Sequence, residues 1–243
     1  MVHMRYIIIH RTNARWEAGA TPEPELIHRV EGLIGEMAGA GVLLAGEGLG
    51  PSSEGVRLRF EGGARTVIPG PLQGERELED RFTIVRVASL GEAVEWATRQ
   101  SAILGDGEFD IRPVHEPWDI GMGTPPEGDP TRRWMVLRKA TTATEAGNAV
   151  TSQSAARLSR LVEESTTSGV HLVSETMKPS RKGRRYTNSR DGKTFYDGPF
   201  AETRELLGGY VVVEAGSLDE ACRWVPRYMD AVGVDAVDVR ELE

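Results

Sequence analysis

The sequence predicts an α+β fold: two tandem copies of one unit in which strand, helix, strand, hairpin, strand, helix and strand follow in order. Three observations carry this. The chain overlays on itself without a gap when shifted by 128 residues, from Arg5 to His115. About thirty of roughly 110 aligned positions are identical, far above chance for an ungapped register. Arg5 falls on Arg133, Gly41 on Gly169, Glu47 on Glu175, Arg57 on Arg185, Gly70-Pro71 on Gly198-Pro199, Trp96 on Trp224 and Asp110 on Asp238. Short apolar runs also alternate with helix-period windows, and cap and turn residues fall between them at matching places in both copies.

Residues 6–10, Tyr-Ile-Ile-Ile-His, read as a buried strand, with residues 134–137 as the counterpart. Thr21 is the expected N-cap of the first helix, with proline suited to its first turn. That helix carries Leu26, Val30, Leu33, Ile34 and Met37 on one face and stops at Gly41. Its counterpart runs from Thr151 to Ser168, with Leu158, Leu161 and Val162 inward. A second strand covers residues 42–45 or 170–174. A hairpin follows, residues 56–60 and 65–68, turning at Gly62-Gly63; the second copy turns at Asp191-Gly192. Strands at 82–87 and 210–214 come next. Ser89 and Ser217 then cap helices, each with a glutamate three residues on (Glu92, Glu220), the capping-box spacing. Last strands lie at 109–114 and 236–242. This order is the ferredoxin-like pattern. Residues 115–130 hold four prolines and three glycines and read as a linker in which Trp118 packs. The expected domains are therefore 1–114 and 131–243. Two fused copies replace the two-fold homodimer that one copy would need.

Composition narrows the function classes. Residues 1–128 hold twelve Lys+Arg and twenty Asp+Glu, and the rest of the chain seventeen of each. An acidic first half argues against nucleic-acid binding, which needs a cationic face. No apolar run reaches the ~20 residues of a membrane span. With no secretory signal pattern, the expectation is a cytoplasmic protein. The single cysteine, Cys222, rules out an internal disulfide and reads as a core thiol. His3, His10, His28, His115 and His171 have no metal-ligand spacing, and no phosphate-loop, dinucleotide or hydrolase motif is present, so neither metal nor cofactor is expected.

The candidate functional residues are these. Asp197, at the end of a strand after Tyr196, either fixes a turn through backbone N–H groups or acts as a base at a cleft mouth. Phe200 is a plug or a stacking platform. His10 shares a strand face with Tyr6 and Ile8, reaching the interior as an acid/base or satisfying itself at a strand end. His28 is a helix histidine. His171 and Glu175 share a strand face and can pair. Arg185 closes an ion pair or anchors an anion. Lys178, Arg181, Lys182, Arg184, Arg185, Arg190 and Lys193 form a basic hairpin suited to an anion, an acidic partner or solvent. The copies differ: Asp197, Phe200, Glu202 and Gly208-Gly209 become Pro69, Leu72, Gly74 and Asp80-Arg81. Two non-equivalent clefts are expected, one functional and one scaffold.

The stretches GVLLAGEGLGPS, DGPFAETRELLGGY and SLDEACRW resemble the YCII-related proteins, in particular their longer DGPF branch, over nearly all of both copies. The resemblance implies ferredoxin-like units that pair into a dimeric α+β barrel, here within one chain, with a cleft between paired sheets. It implies a small polar or aromatic anionic ligand and lyase- or isomerase-type acid–base chemistry, with Asp197, His10 and His28 as candidate groups. The other reading it implies is a ligand sensor or protein partner in an extracytoplasmic-function sigma-factor circuit. Short family members carry a His–Asp pair. Here His28 is offset from that histidine and falls on Ala156 in the second copy, and no aspartate follows Trp96 or Trp224 in register. The protein is expected as a monomeric pseudo-dimer or a homodimer.

Overall fold

A computed structural model describes residues 3–148, 150–189 and 192–243. Its strands are β1 (Met4–Arg11), β2 (Leu43–Gly48), β3 (Val56–Glu61), β4 (Ala64–Pro69), β5 (Glu79–Val87), β6 (Gly107–Pro113), β7 (Arg132–Lys139), β8 (His171–Thr176), β9 (Arg184–Ser189), β10 (Gly192–Asp197), β11 (Leu207–Ala215) and β12 (Ala236–Glu241). The helices are α1 (Ala14–Glu17), α2 (Pro24–Gly39), α3 (Leu90–Leu104), α4 (Thr142–Glu145), α5 (Ser152–Thr167), α6 (Leu218–Cys222) and α7 (Val225–Val232). Asp191 and Arg190, assigned above to a turn and a basic patch, lie outside the described residues.

The strands form two antiparallel six-stranded sheets, ordered β10-β9-β12-β1-β11-β2 and β4-β3-β6-β7-β5-β8. Each sheet draws on both halves of the chain. β1 lies between β11 and β12, while β7 lies between β5 and β6. The expected closed barrel does not form. The sheets stack face to face across a solid apolar layer that includes Ile7, Ile9, Phe82, Ile84, Met135, Leu137, Tyr210 and Val212. Among the described residues they meet at single bridges, Leu49 with Val114, Glu77 with Thr203 and Met177 with Leu242, and do not close into a barrel.

Alternation along β1 sends Ile7 and Ile9 into this layer and Tyr6 and Ile8 to the opposite face, beneath α2, α6 and α7. His10 shares the face of Tyr6 and Ile8, so it points to the helix layer and not to the space between the sheets. This corrects the expected direction of that side chain. On the second sheet α3 and α5 cover Leu58, Phe109, Val85 and Val136, with Leu161 of α5 in the same cluster.

Several local expectations meet their physical test here. Gly62 and Gly63 both take positive φ, 57° and 79°, as the tight β3–β4 turn requires. The Ser89, Ser217 and Thr151 side chains cap α3, α6 and α5. Glu92 and Glu220 reach back one residue beyond the cap, accepting from the Ala88 and Gly216 amides. Thr21 does not cap α2. Pro22 and Pro24 hold the preceding residues out of the helical region, so α2 starts at Pro24 behind an extended Glu23. The last helix of the second half breaks into α6 and α7 because Pro226 removes an N–H donor. Its counterpart is Thr98, inside an unbroken α3.

Two four-residue helices, α1 and α4, carry no sequence signal strong enough to predict them. Each delivers one glutamate inward. Glu17 accepts from the Ser52 amide and Arg112, and Glu145 from the Ser180 amide and Arg240.

Candidate functional site

The pairing registers set one row of residues across each sheet. In the first, His10 of β1 lies opposite Gly209 of β11, and Gly209 opposite Gly48 of β2. The His115 amide then donates to the Gly48 carbonyl at 2.9 Å. In the second, Arg138 lies opposite Arg81, Arg81 opposite Thr176, and the Glu243 amide donates to the Thr176 carbonyl at 3.0 Å. Each member of the second row stands 128 residues from a member of the first.

The two rows make different pockets. Over the first is a cavity of about 330 Å³, walled by His10, His115, Trp16, Leu26, Val30 and Arg132. Over the second only about 140 Å³ remains. There Arg138 Nη1 donates to Asp80 Oδ2 at 2.6 Å, and both side chains are buried. The pair fills the space left open by His10 and Gly208.

Glycine is required beneath His10. A Cβ on Gly209 would sit 2.6 Å from His10 Cε1 and 2.7 Å from the Glu47 carbonyl oxygen. One on Gly208 would sit 2.9 Å from the Thr12 amide nitrogen and 3.0 Å from His10 Cδ2. Gly48 plays the matching part for the other imidazole, its notional Cβ 3.4 Å from His115 Cδ2. Two imidazoles thus flank a floor to which Gly48 and Gly208 contribute, with Gly209 beneath the His10 ring.

Burial, helped by the neighbouring Arg11 charge, pulls His10 down to about 4. Its Nδ1 lies 2.8 Å from Tyr228 Oη. Burial pushes the Tyr228 phenol well above its usual value, so it keeps its proton. Burial also lowers His115, whose Nδ1 is sealed from solvent without a partner among the described residues. Both rings are neutral at pH 7. At the rim Arg132 donates to Asp119 at 2.8 Å and to Glu54 at 3.2 Å, leaving one net negative charge.

The other candidate residues lie elsewhere. Asp197 is exposed at the end of the edge strand β10 and accepts from Arg184 Nε at 2.6 Å. Tyr196 is exposed, its ring edge-on to Phe200. Phe200 is buried under the Arg185 guanidinium, 4.6 Å from ring centre to Cζ. Arg185 is spent on Asp238 through two bonds of 2.5 and 2.8 Å and on the Ala201 carbonyl. Gly198 packs against the Ser180 carbonyl, where a Cβ would sit at 1.9 Å. His28 is exposed on α2 beside Glu25 and Arg29. His171 contacts Ser174 and Thr166 at 2.8 and 3.0 Å and stacks on Trp96; a β-bulge turns it from Glu175. Glu175 pairs instead with Arg5.

Phe200 and Pro199 also line a second cleft of about 670 Å³ with Arg57, Glu77 and Lys139. Arg57 makes two bonds to Asp110, of 2.7 and 2.9 Å, and one to Glu77, while Lys139 contacts Glu77 and Asp110. The Arg57 cation is held by carboxylates of the protein itself, and burial, with the Arg57 and Arg11 charges, pulls Lys139 down to about 6.

Of the candidate residues, His10 alone belongs to the His10–His115 pocket. His115, Tyr228, Gly48, Trp16, Asp119 and Arg132 carry no functional signal in the sequence. His115 lies in the stretch read as linker, and Tyr228 meets His10 across 218 residues of sequence.

The segment from β7 through β12 matches one known family. Residues 133–242 are a YCII-related domain. A comparison with curated proteins gives no match. The YCII-related domain supplies Gly208 to the pocket wall and Gly209 and Tyr228 as contacts of His10, whereas His10, Gly48 and His115 precede it. It also spans both sheets, with β7 and β8 in one and β9 to β12 in the other. Among the described residues no helix is long and apolar enough to cross a membrane, and no group of three or more His, Cys, Asp or Glu is arranged to hold a metal ion.

Proposed function

We propose that this protein binds a small molecule at one working site, the pocket between His10 and His115. We read the chain as two tandem ferredoxin-like copies of the YCII type that have exchanged their first strand–helix–strand segments. β1, α2 and β2 then complete the sheet of the second copy, and β7, α5 and β8 that of the first. On this reading one of two equivalent pockets has been kept and the other filled.

The observation that carries the proposal is the contrast between the rows. His10, Gly209, Gly48 and His115 leave about 330 Å³, while Arg138, Arg81, Thr176 and Glu243 leave about 140 Å³. Ordinary surface drift would not place a buried Arg–Asp pair in one pocket and a glycine floor with two neutral imidazoles in the other. Burying that ion pair also costs desolvation, which close hydrogen-bonded geometry must offset.

A thermal-shift screen of small carbonyl compounds, phenols and carboxylates tests it, because a ligand that binds only the folded state raises the melting temperature. Wild type is run beside Gly209→Arg, which copies Arg81, and His10→Ala. Hits lost in both folded variants support the site. Hits that survive both place binding elsewhere and sink the proposal. Turnover of a hit would add lyase- or isomerase-type chemistry to this reading.

A further inference from the structure

The hydrogen-bonding state of the two imidazoles defines the ligand this pocket accepts, on the reading that it is the working site. The Tyr228 hydroxyl is buried, and His10 Nδ1 is its one partner among the described residues. A buried donor left unpaired is costly, so the phenol donates and His10 Nδ1 accepts. The ring proton of neutral His10 is then on Nε2. In His115 the buried Nδ1 has no partner. An unpaired acceptor is more readily tolerated than an unpaired N–H, so this proton is also on Nε2. Nε2 adjoins Cδ2, the ring atom that faces the Gly48 floor.

We propose that the pocket takes an uncharged, planar, one-ring molecule with a hydrogen-bond acceptor at each end. Its face lies on Gly48 and Gly208, and its two acceptors receive the Nε2–H groups of His10 and His115. Glu54 and Asp119, only half offset by Arg132, disfavour a dianion. An ammonium is excluded because both imidazoles present donors to it. The flat floor favours a ring, and the apolar wall of Leu26, Val30 and Leu49 covers its edge.

The test uses four probes on the full chain: 1,4-diacetylbenzene, acetophenone, terephthalate and p-xylylenediamine. Affinity comes from calorimetric titration, and location from the Gly48 and Gly208 amide shifts. The second hydrogen bond makes 1,4-diacetylbenzene bind about tenfold tighter than acetophenone. His10→Phe and His115→Phe each reduce it to the acetophenone level. A long-range 1H–15N spectrum of the unliganded protein shows both rings protonated at Nε2. A proton on Nδ1 in either ring, or tighter binding of terephthalate or the diamine in this pocket, overturns the ligand class while leaving the site in place. If none of the four binds wild type at the pocket, both the ligand class and the site reading are overturned.

Discussion

Arg138 stands on the central strand of one sheet where His10 stands on that of the other. Each faces position 81 or 209 of the neighbouring strand, arginine in one case and glycine in the other. Arg138 closes its pocket by reaching Asp80, and His10 holds its pocket open by leaning on Tyr228. Residues on the same backbone frame thus give a packed ion pair and an accessible cavity.

The glycine floor makes a direct prediction. Gly209→Ala places a methyl group against a backbone carbonyl and the His10 ring, so the strand or the ring must shift. Overpacking of this kind costs about 1–3 kcal/mol. Urea denaturation should show that loss, together with an altered His10 ring shift. Unchanged stability would mean that the floor is looser than described.

The pH dependence of stability follows from His10. Its folded value, about 4, lies below the usual 6.5, so between these values the unfolded chain binds more protons than the native one. The contribution is complete above pH 6.5 and is lost as pH falls toward 4, up to about 3 kcal/mol. Denaturation at pH 7, 5.5 and 4.5 should show a steeper loss in wild type than in His10→Phe. Tyr228→Phe removes the bond to the neutral ring, costs about 0.5–1.5 kcal/mol and moves His10 upward in an NMR titration.

The Asp-Gly-Pro-Phe stretch divides into parts of unequal weight. Asp197 is exposed, so Asp197→Ala should cost under about 1 kcal/mol. Phe200 is buried beneath Arg185, so Phe200→Ala should cost about 3–5 kcal/mol. Equal losses for the two variants would contradict this division.

Two ion pairs join the two halves of the chain: Arg5 with Glu175 and Arg133 with Glu47, both at 2.5 Å. Corresponding members of the two pairs stand 128 residues apart, a reciprocal pattern, but their surroundings differ. The Arg5 side chain is 40% exposed and Arg133 17%, and Arg133 also holds Glu116. Arg133→Ala leaves two shielded carboxylates unpaired and should cost about 3–5 kcal/mol, whereas Arg5→Ala costs under about 2. Chemical denaturation of the two variants measures the difference.

Much of the secondary structure was legible because its causes are local. Gly62-Gly63 fixes a hairpin, Ser89 and Ser217 cap their helices, and residues 6–9 can only be a buried strand. The asymmetry of Gly208-Gly209 against Asp80-Arg81 was legible as well. What it meant was not, because it depends on which strand lies beside which. Periodicity identifies β1 as buried but does not say that its neighbours are β11 and β12. Without that pairing, Gly209 cannot be placed under His10, nor His115 beside Gly48. The α1 and α4 helices were hidden for another reason: four residues are too few to leave a period, and their stability comes from Glu17 and Glu145 reaching distant amides and arginines.

The most direct test of one open and one filled pocket is a crystallographic fragment screen on the full chain, which works whatever the natural ligand is. Fragments are expected over Gly48 and Gly208, between His10 and His115, and none over Arg81 and Thr176. Equal occupancy of both pockets, or fragments only beside Arg138 and Asp80, would contradict this asymmetry.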